Sequence, residues 1–267
     1  MPRSPCQNRE IQMTIAIIPA RMASTRFPGK PLAHIHGIPM IGHCYFRSKM
    51  SSCLDGVYIA TCDEEIREYS QSIGAPCIMT ADSHERASDR IAEAMLKIEG
   101  DTGSAHEIVV LVQGDEPMLH PEMIDATVSA LENNADVQVV NGFARIDAVE
   151  EFADPNEVKV VIGANNDAIY FSREPIPSLK KWDGDVPMLK QVCIIPFRRD
   201  YLLEFNATPQ TPLEKIESID MLRTIESGGK VRMVEMHHES LSVDTQQDLD
   251  RVVEKMAGDA LMAAYAE

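Results

Sequence analysis

Four short apolar runs constrain what the first half of this chain can become: IAIIP at 15–19, VYIAT at 57–61, CIMT at 77–80 and IVVLVQ at 108–113. Each is too short for a buried helix and too uniformly apolar for a strand with one wet face. Between them lie segments of helical period, from Pro39 to Ser51, from Asp63 to Ile73 and over 88–99. Buried strands alternating with helices predict an α/β fold: a Rossmann-like, mostly parallel sheet flanked by helices. Ligands on such sheets bind beyond the carboxyl ends of the strands, which directs attention to the loops 19–31, 80–90 and 113–118.

After Asn141 the rhythm changes. VKVVIG (158–163) and AIYFS (168–172), parted by the turn residues NND, predict a hairpin and thus an antiparallel extension. QVCIIPF (191–197) reads as one strand after an exposed Pro-, Lys- and Gly-rich stretch, SLKKWDGDVP. From Pro212 to Ser227 the apolar Leu213, Ile216, Ile219, Leu222 and Ile225 fall at helical spacing, predicting a single helix. VRMVEM (231–236) and a helix from Thr245 follow. The expected organisation is a flexible leader over 1–12, one domain over 13–256 and a helical tail over 257–267. MPRSPCQNREIQ has no apolar stretch for a signal peptide, and no run approaches the roughly 18 apolar residues of a membrane span.

Charge locates a site within this frame. The 267 residues hold 42 acids against 25 Lys and Arg, a net charge of −17, which argues against a nucleic-acid partner. Yet no Asp or Glu occurs between Glu10 and Asp55, where Arg21, Arg26, Lys30, Arg47 and Lys49 all fall. One basic segment in an acidic chain predicts a local anion site. The six cysteines form no C-x-x-C pair, so reduced thiols in a cytoplasmic protein are expected.

The basic segment contains IIPARMASTRFPGKPL, residues 17–32, where a buried strand gives way to a Gly/Pro loop. Several cations and open backbone N–H groups suit triphosphate oxygens, although no Walker sequence is present. The competing reading is a solvated basic loop. In LVQGDEPML (111–119), Asp115 follows the fourth strand, where a hard metal with phosphate oxygens would sit, and Gln113 can donate to a ribose or sugar oxygen. Alone, that motif is equally an exposed turn. In SVDTQQDLDRV (242–252), Asp244 precedes Thr245, a predicted N-cap, and serves either a metal or only the helix start. In ADSHERASDRIAEA (81–94), Ser88 and Arg90 open a helix whose N-terminus can meet an anion or a base edge, or can be merely capped.

The block P-A-R-x-x-S-T-R-x-P-G-K-P at 19–31 resembles the signature of sugar nucleotidyltransferases, specifically the 3-deoxy-manno-octulosonate (Kdo) cytidylyltransferase, or CMP-Kdo synthetase, family. V-Q-G-D-E-P at 112–117 and V-D-T-x-x-D-L at 243–249 resemble further blocks of that family. The resemblance implies a Mg²⁺-dependent homodimer that makes a CMP-sugar and pyrophosphate from CTP and a 2-keto-3-deoxy sugar acid, for lipopolysaccharide or other surface glycans. It implies that Pro19 and Ala20 face the nucleoside, that Arg21 and Lys30 hold the triphosphate, and that Asp115 and Asp244 bind Mg²⁺. Ser88, Arg90 and Gln113 join the nucleotide site by the same resemblance. Arg26, Gln113, Lys159, Gln191 and Glu217 fall to the acceptor, and Arg173 to the site or a subunit interface built through 169–190.

Two departures are visible. Ala87 stands where the family has a glycine and lacks its freedom at positive φ. KQVCIIPFR (190–198) places Gln191, Cys193 and Ile195 where the family shows His, Gly and Tyr. A pocket that loses an imidazole and a phenol can change its acceptor by a selectivity of roughly 10⁴-fold. Amino-Kdo, a nonulosonic acid or a phosphonate are therefore alternative acceptors, and a non-catalytic nucleotide-binding module is the reading outside enzymes. His237-His238 and His34-x-His36 lack partners at metal spacing and are read as surface histidines. No residue presents itself as a general base.

Overall fold

The computed structural model describes residues 13–23, 26–181 and 184–266. The expected leader 1–12 and the last residue of the expected tail lie outside them. The strands are β1 (Thr14–Ala20), β2 (His34–Ile35), β3 (Ile38–Pro39), β4 (Gly56–Thr61), β5 (Cys77–Met79) and β6 (Ile108–Val112). They continue with β7 (Val139–Arg145), β8 (Lys159–Ile162), β9 (Ala168–Ser172), β10 (Leu189–Val192), β11 (Ile194–Arg198) and β12 (Val231–Glu235). The helices are α1 (Met40–Lys49), α2 (Glu64–Ser72), α3 (Ala87–Thr102), α4 (Pro121–Glu132), α5 (Val149–Phe152), α6 (Arg199–Ala207), α7 (Pro212–Glu217), α8 (Met221–Glu226) and α9 (Gln246–Lys255).

The four apolar runs become β1, β4, β5 and β6, paired in parallel in the order β5-β4-β1-β6. Alternation along the buried strands divides the core. Ile15 and Ile17 pack with Ile91, Met95 and Phe205, from α3 and α6, on one face. Ala16 and Ile18 pack with Ile41, Ile66 and Met123, from α1, α2 and α4, on the other. Helices on both faces are what uniformly apolar strands require. Beyond β6 the sheet continues β11-β7-β10-β8-β9 in antiparallel pairings, with β12 parallel to β7. β8 and β9 form the expected hairpin.

Three local expectations change. The run 191–197 is two strands, β10 on β7 and β8, and β11 on β6 and β7. The break is at Cys193, whose N–H leaves the ladder to donate to Glu116 Oε1 at 3.0 Å. The helix expected over 212–227 is likewise two, α7 and α8, because Ser218 turns to φ 56° and ψ 47°. There Arg173 Nε donates to the Glu217 carbonyl at 2.8 Å, which diverts an oxygen that a continuing helix would use. In the tail, regular structure is confined to a 3-10 turn at Met262–Ala264. Tyr265 anchors that tail on α1, its hydroxyl accepting from Arg47 Nε at 3.0 Å.

Candidate active site

The carboxyl ends of β1 and β6 open into a cleft of about 390 Å³. Pro19, Ala20, Arg21, Arg26, Lys30, Arg86, Arg90, Gln113, Asp115 and Asp244 are among its lining residues. The basic loop is built to return there. Asp63, just past β4, accepts the Met22 N–H at 2.7 Å and fixes the exit of β1. Gly29, at φ 74°, donates back to the Met22 carbonyl at 3.2 Å and starts the 3-10 turn that carries Lys30. A glycine meets that φ without strain. Gly114 allows a second close approach, since a Cβ there would lie 3.0 Å from the Pro19 carbonyl oxygen.

Asp115 and Asp244 are brought together by folding alone. The Val243 N–H donates to the Asp115 carbonyl at 2.9 Å, joining the loop after β6 to the entry of α9. Beneath them Met118, Val243, Leu249 and Val252 pack in one apolar cluster. Thr245 caps α9 as its sequence predicts, accepting from the Asp248 N–H, and this orients Asp244. Lys30 Nζ then donates to Asp115 Oδ2 at 2.7 Å and to Asp244 Oδ1 at 3.2 Å. Arg26 donates to Asp244 Oδ1 at 3.0 Å. Burial alone would lower the Lys30 pKa, but the two carboxylates outweigh it and raise it above the ordinary value.

One ammonium bridging two carboxylates marks a place shaped for cationic charge between oxygen donors. That donor set suits a hard divalent ion that keeps waters and takes phosphate oxygens as further ligands. Arg21, Arg86 and Arg90, which line the same cleft, suit anionic oxygens. Several cations and a pair of acids in one cleft are what a nucleoside triphosphate and its metal need.

The other expected residues divide. Arg90 is buried and donates to Thr80 Oγ1 and to the Ala81 carbonyl at 3.3 Å, so it also shapes the rim. Ala87 is the first residue of α3, a helical position where alanine needs no positive φ. Ser88 is fully buried beneath it and is not among the residues lining the cleft. Lys159 is also fully buried, with its ammonium on the carbonyls of Asp154 at 2.7 Å and Glu157 at 2.6 Å; burial lowers its pKa. Gln191 donates to Asn141 Oδ1 at 2.6 Å, and Ile195 faces the core. Glu217 accepts from Ser172 Oγ at 2.8 Å and from the Arg173 N–H at 2.9 Å. None of Lys159, Gln191, Ile195 and Glu217 lines the cleft.

Two residues escaped the sequence reading. Arg86 lines the cleft and pairs with Glu214, which is itself fully buried against Arg223. Its place before α3, on a loop already singled out, was the available signal. Glu116, beside Asp115, is buried and accepts from Ser240 Oγ at 2.7 Å as well as from Cys193. Burial pushes its pKa up to about 7. Nothing local in G-D-E-P tells the inward acid from the outward one.

A family model described as Cytidylyltransferase matches residues 15–254. The chain belongs to the cytidylyltransferase family. It is 42% identical over 252 residues to 3-deoxy-manno-octulosonate cytidylyltransferase of Geobacter metallireducens, covering 91% of this chain and 97% of the relative. The enzyme of that name from Solibacter usitatus is 42% identical over 238 residues, 89% of this chain and 92% of the relative. A solved structure of CMP:2-keto-3-deoxy-manno-octonic acid synthetase complexed with CTP superposes with a TM-score of 0.84 at 35% identity, covering 92% of this chain and 99% of that one. Membership of this family makes the chain a nucleotidyltransferase. Among the described residues no helix is long and apolar enough to cross a membrane.

Proposed function

We propose that this cytidylyltransferase activates Kdo with CTP, giving CMP-Kdo and pyrophosphate for lipopolysaccharide or other surface-glycan synthesis in the cytoplasm. The observation that carries the reading is Lys30 bridging Asp115 and Asp244 in a cleft that Arg21, Arg86 and Arg90 also line. The names of the relatives point to the same acceptor over most of the chain.

In this reaction the anomeric hydroxyl oxygen bonds to the α-phosphorus of CTP in line with the departing pyrophosphate. The bond from the α-phosphorus to its bridging oxygen breaks, pyrophosphate takes the electron pair, and the hydroxyl proton passes to water, with Asp115 or Asp244 assisting. Arg21 and Lys30 lower the charge that repels the incoming hydroxyl, an electrostatic contribution strongest where water is excluded. Pro19 and Ala20, buried at the end of β1, form an apolar shelf for the nucleoside, with Gln113 donating from the neighbouring strand end. Arg90 holds the loop over that shelf from the first turn of α3, and Ser88 supports it from below. Asp115 and Asp244 are the residues that would hold Mg²⁺, which supplies charge neutralisation on phosphate oxygens when bound.

Arg26 is the cleft residue we assign to the acceptor carboxylate. Lys159, Gln191 and Glu217 are assigned to the acceptor by the family resemblance alone, since each is bonded elsewhere and none lines the cleft. A homodimer through 169–190 belongs to the same proposal and is favoured by Ile169 and Leu179, both large apolar residues left exposed. Light scattering at the monomer mass would remove it.

The test is pyrophosphate release by the purified protein with CTP, Mg²⁺ and a panel of Kdo, amino-Kdo, a nonulosonic acid and a phosphonate. Kdo is expected to have the highest kcat/KM, and CTP to surpass other nucleoside triphosphates. A higher kcat/KM for another acid overturns the acceptor. No release with any acid overturns catalysis and leaves a nucleotide-binding module.

A further inference from the structure

His238, a surface histidine by its spacing, acquires partners in three dimensions. Met236 is buried and its N–H donates to the Phe143 carbonyl at 2.7 Å, while Ser240 is buried against Glu116. Between these two anchors the chain bulges outward and presents His238, which is exposed. It lies on His120, the residue before α4, with ring centroids 3.9 Å apart and planes 7° from parallel. Glu122, in the first turn of α4, places Oε2 3.7 Å from His120 Nδ1. One donor atom from each of the three lies within 4.8 Å of the other two.

We propose that His120, Glu122 and His238 form a second metal site, for a transition-metal dication such as Zn²⁺. Zn–N and Zn–O bonds near 2.0–2.1 Å put tetrahedral donors about 3.3 Å apart. The stacked rings aim their lone pairs side by side, so His238 must turn out of the stack and Glu122 must swing toward it for the three donors to converge on one ion. Both side chains are exposed, and a fourth position is left for water. Two imidazoles and one carboxylate prefer Zn²⁺, Ni²⁺ or Cu²⁺ over Mg²⁺, which selects oxygen donors. The site is thereby chemically distinct from the Asp115 and Asp244 pair.

Its place in the fold gives it a consequence. His120 ends the loop that carries Asp115 and Glu116, and His238 sits on the segment that leads to Asp244. Hydrogen bonds already join these segments from the Val243 N–H to the Asp115 carbonyl and from Ser240 Oγ to Glu116. A metal across His120, Glu122 and His238 adds a further tie at their outer edge and restrains both carboxylate-bearing loops.

The experiment uses the full chain, stripped with EDTA and titrated with Zn²⁺ in competition with a chromogenic chelator, with excess Mg²⁺ present. Wild type and Asp115→Asn are each expected to hold one equivalent. His238→Ala and Glu122→Gln are expected to bind at least about tenfold more weakly, since even outer partners of a metal site are worth that much. His238→Cys restores a ligand and is expected to recover binding. Zn²⁺ should slow amide exchange over 113–120 and 237–244 in wild type but not in His238→Ala. Equal Zn²⁺ affinity in His238→Ala and wild type, or loss of Zn²⁺ in Asp115→Asn alone, overturns the proposal.

Discussion

Replacing Lys30 by methionine keeps roughly the length of the side chain and removes its charge together with the N–H groups that bond the two acids. Both of its bonds end on one nitrogen, so the carboxylate oxygens of Asp115 and Asp244 lie within about 6 Å of each other, a repulsion of about 3 kcal/mol at an effective dielectric of about 20. Water in the open cleft reduces this to about 1–3 kcal/mol, because the dielectric there lies between the protein and bulk limits. In the free enzyme Lys30 neutralises that repulsion and competes with any cation for the same oxygens. Lys30→Met is therefore expected to bind Mn²⁺, a spectroscopic stand-in for Mg²⁺, about 5- to 150-fold more tightly without CTP. Catalysis is expected to move the other way. A group that stabilises transition-state charge is worth on the order of 10²–10³ in kcat. Mn²⁺ binding is read by electron paramagnetic resonance and turnover by pyrophosphate release. A kcat within threefold of wild type would refute the assigned role, and weaker Mn²⁺ binding would refute the electrostatic account.

Two further outcomes follow from buried charge. Glu116, pushed up by burial from an ordinary 4.5 to about 7, binds its proton more tightly folded than unfolded, so its contribution to stability is present below about pH 4.5 and lost as pH rises through 7. Glu116→Gln mimics the protonated acid; urea unfolding should show it gaining up to about 3 kcal/mol on wild type between pH 4.5 and 8, and a constant difference refutes the linkage. Glu214→Ala leaves the Arg223 guanidinium, 3% exposed and bonded to Glu214 at 2.6 and 2.8 Å, without the carboxylate that it touches. The expected loss is about 3–5 kcal/mol by urea unfolding. Because Arg86 also leans on Glu214, the KM for CTP should rise as well, and an unchanged KM would separate Arg86 from the nucleotide site.

The sequence by itself determined the elements whose signal is local. Uniformly apolar runs specified the parallel strands β1, β4, β5 and β6, and hence which loops face a ligand. The acid-free window located the anion site, and Asp-Thr-x-x-Asp specified the start of α9. The tertiary structure decided where distant residues meet. It joined Asp115 to Asp244 across Lys30, turned Glu116 inward and Asp115 outward, and laid His238 on His120. It also withdrew Lys159 and Glu217 into bonds with their surroundings and broke two expected elements at Cys193 and Ser218. In each break a distant side chain captures a backbone group, Glu116 in one case and Arg173 in the other. Periodicity records which face of an element is apolar, but not the partner that a polar group finds across the fold. That partner decides whether a lysine, an acid or a histidine is structural or chemical.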